Sequence, residues 1–169
     1  APAGAFERAA VQLGAVADAA HDQGVAMTFE VLNRYETALI NTAGQARDFV
    51  AASGSDHLRV HLDTFHMAVE EADMTGAVRE TAPLLGYLEL GQSGRGPLST
   101  GSVDVEAVVR AAIGAGYRGR IGLEAFSRSV LSGMASDLLG IWREPYSDGA
   151  AVAAEAIELV RKAEAAGPT

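Results

Sequence analysis

The chain has 169 residues, enough for one domain with a buried core, and 49% of them are apolar, which excludes a disordered polymer. A formal net charge of -9 excludes a sizeable phosphate-binding face, so nucleic acid is not an expected partner. With no cysteine, disulfides and thiolate metal sites are excluded; with no apolar run long enough to span a bilayer and no signal pattern, the expectation is a cytoplasmic chain with no membrane partner.

Taken in chain order, helix and strand patterns alternate. Phe6, Ala9, Leu13, Val16, Ala17 and Ala20 recur at helical spacing over residues 5–23, and Gly24 ends the run. "VAMTFEV" (25–31) reads as a strand. A helix over 43–53 follows, with Ala46, Phe49 and Val50 on one face and Gly54 beyond its end. "LRVHLDTF" (58–65) is the second strand, and a helix over 73–82 leads to the third, "GYLELGQ" (86–92). "DVEAVVRAAIGAG" opens on Asp104 as an N-cap and stops at glycines. "GRIGLEAF" (119–126) is the fourth strand. The last helix covers about 148–165, capped by Asp148, with Val152, Ala153, Ile157 and Val160 inside.

Such alternation predicts parallel pairing through crossover helices. Each strand also carries one acid near its C-terminal end, flanked by apolar neighbours. Val25, Met27, Phe29 and Val31 flank Glu30; Val60 and Leu62 flank Asp63; Leu88 and Leu90 flank Glu89; Ile121 and Leu123 flank Glu124. Side chains alternate across a strand, so the apolar sets can face the helices while the four acids point the other way together. Four carboxylates gathered at strand tips repel one another unless a cation joins them, and strand tips are where a TIM barrel keeps its active site. The expected architecture is therefore a single α/β domain over 1–169 with a metal site on oxygen and imidazole ligands. His61 shares the parity of Asp63 and is assigned to packing. His21 and His57 are assigned to the surface, and Trp142 to packing in a loop that borders the site or a subunit contact.

With "FEVLNRYET", "HLDTFHMAVEE", "LELGQSGRGP" and "IGLEAF" in view, the chain resembles the ketose 3-epimerases of the D-tagatose and D-psicose 3-epimerase type, within the xylose isomerase-like TIM-barrel superfamily. The resemblance runs from about residue 25 to "IWR" at 141–143, and the acid spacings of 33, 26 and 35 residues fit it as well. It implies that the chain is the C-terminal half of a (β/α)8 barrel, four of its eight strands. It implies a small-molecule ketose as substrate and a divalent metal cofactor, Mn2+, Co2+ or Mg2+. Glu30, Asp63 and Glu124 would ligate that ion. Glu30 and Glu124 would also be the catalytic acid–base pair, epimerising C3 by proton abstraction through a metal-stabilised enediolate. Substrate oxygens would be bound by His66 and Arg95, and oriented by Glu36.

Two departures from the family pattern stand out. The segment "ELGQSGR" puts Glu89 where the family has a metal-binding histidine, and Gln92 where it has a second acid, keeping only Arg95. Glu89 is retained as the fourth metal ligand, because carboxylates suit magnesium and manganese. The second departure is length, since a whole barrel takes roughly 250 residues. Either a missing N-terminal half or another copy in a homo-oligomer would complete the fold. The alternatives are a non-catalytic half-barrel that binds metal or assembles with a partner, and another branch of the superfamily such as a hydroxypyruvate isomerase or an inosose dehydratase.

Overall fold

A computed structural model describes residues 2–167. Helix α1 (Ala5–Asp22) leads into β1 (Met27–Glu30), α2 (Ala43–Ser53) into β2 (Leu58–Asp63). Two short helices, α3 (Thr64–Glu70) and α4 (Met74–Thr81), and a 3-10 turn at Ala82–Leu84 lead into β3 (Leu85–Gly91). Then come α5 (Val105–Gly114), β4 (Arg120–Glu124), α6 (Gly133–Leu138) and α7 (Gly149–Ala166). The four strands are all parallel and lie side by side in chain order, the arrangement of consecutive staves in a barrel.

The expected parity holds. Leu58, Val60, Leu62 and Leu88 are fully buried, and with Met27, Phe29, Leu90, Ile121 and Leu123 they pack beneath the helices. Phe49 of α2 anchors this layer, its ring 5.2 Å from Phe6 and 5.0 Å from Phe29, in tilted and edge-on contacts. The opposite face of the sheet carries Thr28, Glu30, Arg59, His61, Asp63, Tyr87, Glu89 and Glu124. One irregularity keeps β3 in phase: Val60 pairs with Leu85 but His61 pairs with Tyr87, leaving Gly86 as an extra residue. A Cβ at Gly86 would stand 2.7 Å from both Arg59 and Thr28 side chains, so the bulge is open to glycine alone. It leaves Leu85 and Leu88 on the core side while turning Tyr87 and Glu89 inward.

The elements differ from expectation mainly at strand ends. β2 stops at Asp63 rather than 65, because the Asp63 carboxylate accepts the Phe65 N–H at 2.9 Å and caps α3, a helix the apolar run had concealed. β1 and β4 are shorter than expected at both ends, and α6 was not anticipated. Asp104 and Asp148 cap α5 and α7 as expected. Gly54 ends α2 at φ 70° and Gly24 follows α1 at φ 74°, both left-handed conformations that favour glycine. Among the described residues, no helix is long and apolar enough to cross a membrane.

Helix α2 begins with a reciprocal cap. Thr42 Oγ1 accepts the Gln45 N–H, and Gln45 Oε1 accepts the Thr42 and Asn41 N–H groups at 3.2 and 2.7 Å. Thr42→Ala removes the hydroxyl and loosens the helix that seats Phe49. The expected loss is about 1 kcal/mol of unfolding free energy, read from the urea midpoint with an unchanged slope.

Candidate metal centre

The inward face converges at the C-terminal strand tips. Glu30 pairs in register with His61, Asp63 with Glu89, and Gly91 with Glu124. Three overlapping triads result, in each of which the ligand atoms lie within 4.8 Å of one another: Glu30–His61–Glu89, Glu30–Asp63–His66 and Asp63–Glu89–Glu124. Asp63 and Glu89 sit in the middle of the cluster. Glu30 and Glu124 share no triad and stand apart, on the first and last strands.

Asp63 is fully buried, its two oxygens divided between the Phe65 N–H and Arg95 Nη1 at 3.0 Å. Arg95 Nη1 also meets the Glu124 carboxylate, so one guanidinium bridges two acids. Two rings hold it there, Phe65 at 3.6 Å and Phe126 at 5.3 Å. The loop that delivers it is tight: Arg95 has φ 55°, its N–H bonds Gln92 O, and its own carbonyl accepts the Phe126 N–H. Gln92, only 1% exposed, clamps that loop. Its amide donates to Leu98 O and Val103 O and accepts from Ser93 N–H and Val103 N–H. An ionised acid could not make the two donations, which is the physical reason an amide suits this position. At Gly91 a Cβ would come 2.7 Å from Asp63 Oδ1, so the cradle needs glycine.

His66 is 2% exposed and lies below this pair. Its Nδ1 accepts the Asn33 backbone N–H at 3.2 Å, which assigns the ring proton to Nε2 in the neutral form. Nε2 then faces Glu30 at 3.4 Å and Asp63 at 3.6 Å. Glu36 is 3.8 Å from the ring's other side, in a turn after β1 rather than on a helix.

His61 does more than pack. Its Nε2 lies 3.0 Å from Glu89 Oε2 on the inward face, and its ring meets the Tyr87 ring edge-on at 4.7 Å. Its strand parity with Asp63 was the signal available in the sequence. His21 and His57 stack face to face at 3.6 Å, away from the acids. Trp142 is also not buried: it is 71% exposed and helps to form the rim of a cleft of about 480 Å³. Glu30, Glu36, His66, Arg95 and Glu124 line that cleft.

Burial and mutual repulsion set the protonation pattern. Glu89 is pushed up to about 7, by burial first and then by the charges of Glu124, Asp63 and Glu30. Burial likewise raises Asp63 and Glu124, against the pull of the Phe65 N–H and Arg95 on the former and of Arg95 on the latter. Glu30 moves the other way, lowered by its bond to His66 against the effect of burial. Burial opposes a charged His66 ring, yet the bond to Glu30 and the charge of Asp63 outweigh it and raise that pKa. Burial lowers His61. The donor set, carboxylates with imidazole and no sulfur, fits a hard or borderline divalent cation. Arg95 already supplies positive charge between Asp63 and Glu124, which marks the place as one that demands it.

Residues 1–163 match the family described as xylose isomerase-like TIM barrel. The chain is 42% identical over 149 residues to a ketose 3-epimerase of Arthrobacter globiformis, covering 88% of this chain and 52% of that protein. To an L-ribulose 3-epimerase of Mesorhizobium japonicum it is 39% identical over 151 residues, 89% of this chain and 51% of the relative. The crystal structure of a D-allulose 3-epimerase from Methylomonas sp. in complex with D-allulose superposes with a TM-score of 0.86 at 34% identity, over 93% of this chain and 55% of that one. The chain thus spans about half the length of the curated relatives it matches.

Proposed function

Because the chain belongs to the xylose isomerase-like TIM barrel family, we propose that it carries the proton-transfer and metal-binding half of an epimerase acting at C3 of a ketose. One observation carries the reading: Glu30 and Glu124 stand at opposite ends of one acid cluster, with His66 and Arg95 between them in a single cleft. The kinship with ketose 3-epimerases supports the choice of reaction. Inversion at a carbon next to a carbonyl passes through a planar enediolate, so it needs two proton-transfer groups on opposite faces. Glu30, held down by His66, is the carboxylate that takes the C3 proton in one direction. Glu124, raised by burial, delivers a proton to the other face, and the reverse reaction exchanges the roles.

Glu30, Asp63, Glu89 and Glu124 would hold a divalent ion of the manganese, cobalt or magnesium class. When bound, that ion supplies Lewis-acid polarisation of the ketose carbonyl. Arg95 and the Nε2–H of His66 bind substrate oxygens and stabilise the negative charge that develops on them. Glu36 orients the same end of the sugar from the rim. The remaining wall of the sugar pocket comes from the rest of a barrel, in one polypeptide or from another copy, which would also cover the free edges of β1 and β4.

The test is hydrogen exchange. With manganese added in heavy water, D-allulose, D-fructose, D-tagatose and L-ribulose are incubated with the protein and deuterium at C3 is read by NMR. Incorporation at C3 in at least one ketose is the expected result. Tight manganese binding with no incorporation in any of them would leave a metal-binding module rather than an epimerase.

A further inference from the structure

The metal reading above leaves the centre overcharged. Four carboxylates around one dication carry two uncompensated negative charges, and Arg95 offsets one of them. A neutral donor adds a bond without adding charge, and the inward face offers two imidazoles. Only one is free to turn its lone pair toward the acids. His66 Nδ1 is already occupied by the Asn33 backbone N–H, and its Nε2 therefore carries the proton. His66 is a hydrogen-bond donor to the site, not a ligand in it.

His61 differs on each point. Among the described residues no backbone donor meets either ring nitrogen, and Nε2 faces the acids with Glu89 Oε2 3.0 Å away. That contact is a hydrogen bond here, and with the ring proton on Nδ1 the same two atoms would be close enough to reach one cation together. Glu30 completes a triad whose donor atoms lie within 4.8 Å of one another, and Glu30 and Glu89 also belong to the triads that contain Asp63.

The ring is held in place from behind. Tyr87 presses its edge against His61, and a Cβ at Gly122 would lie 1.7 Å from the Tyr87 hydroxyl. Glycine at 122 is thus what admits the tyrosine that orients the histidine. We propose that His61 Nε2 is a nitrogen ligand of the divalent ion taken by this centre, binding beside Glu30 and Glu89, with the ring proton carried on Nδ1. The inference rests on the metal reading, and it adds a residue and a metal preference to it. Imidazole favours cobalt over magnesium, whereas an all-oxygen site favours the hard ions.

The experiment is electron spin-echo spectroscopy of manganese bound to the chain, which detects a directly coordinated 14N nucleus, combined with titrations of manganese, cobalt and magnesium. The expected result is a coordinated-imidazole signal in the native chain that persists in His66→Gln and disappears in His61→Gln. In His61→Gln the manganese affinity should fall by about 10-fold or more, and the preference for cobalt over magnesium should shrink. His61→Phe keeps a ring against Tyr87 while removing both nitrogens, so the same loss there excludes a packing cause. A native chain that binds manganese without a 14N signal overturns the inference and leaves the metal reading intact. So does a signal that survives in His61→Gln. A native chain that binds no manganese overturns both.

Discussion

Glu124→Gln is expected to lower C3 epimerisation by on the order of 10²–10⁴-fold at saturating manganese, the usual worth of a general acid or base. The amide keeps an oxygen donor and its size but cannot carry the proton. The more telling outcome is how hydrogen exchange divides between the two epimers. With Glu30 intact, the ketose whose C3 hydrogen faces Glu30 should still exchange with solvent, with retention of configuration. Its epimer, whose hydrogen faces residue 124, should not. Glu30→Gln should give the mirror-image pattern. This asymmetry follows from placing the two acids on the first and last strands, in no common triad. NMR of each pure epimer in heavy water reads it directly. Equal loss of exchange from both epimers in both variants, at saturating metal, would reduce the two glutamates to ligands and end the proton-pair reading.

The parts of this centre that were legible in the sequence are those governed by a two-residue period. The apolar neighbours of Glu30, Asp63, Glu89 and Glu124 place each acid on the inward face whatever the exact strand limits, and those limits did move. Asp63 illustrates why. Its carboxylate has two uses, capping α3 through the Phe65 N–H and meeting Arg95, and the first ends the strand two residues early. "LDTFHM" is equally apolar as strand or helix, so pattern alone could not locate that switch.

What was illegible depends on contacts between distant segments. The bulge at Gly86 is specified by Arg59 and Thr28 on neighbouring strands, and Gly122 by the Tyr87 ring. Nothing local to either glycine announces it. The polar contact of His61 was hidden for a related reason: parity gave its direction, but only the neighbouring strand brings Glu89 to 3.0 Å. Arg95 reaches the acids from a left-handed position clamped by Gln92, a geometry that a glycine-rich loop permits without predicting. Trp142 sits at the cleft rim instead of in the core because the loop after α6 folds over the strand tips.

Without a divalent cation, stability should fall as pH rises, contrary to the behaviour of ordinary salt-bridged acids. Glu89 has its folded pKa raised to about 7 from the ordinary 4.5, so between those values the folded chain keeps a proton that the unfolded chain has lost. The stabilisation is fully present below pH 4.5 and is lost as pH climbs through 7. With solvent screening of this partly open group, its contribution is on the order of 1–2 kcal/mol. Asp63 and Glu124, also raised, add in the same sense. Glu30, lowered by His66, acts oppositely, but its contribution falls away only below 4.5, outside this window. His61, lowered by burial, opposes this only below its ordinary 6.5, and His66, raised, adds to it, so urea unfolding in EDTA from pH 6.5 to pH 8 should show declining stability. Manganese should reverse the trend, because a ligand that binds the ionised carboxylates of the folded chain stabilises it most where those groups are deprotonated. Glu89→Gln should flatten the EDTA profile, since an amide keeps the shape and carries no charge to repel its neighbours. A profile unchanged by that substitution would mean that repulsion among the strand-tip acids is relieved without Glu89 holding its proton. The carboxylates would then have no shared charge deficit for a cation to fill.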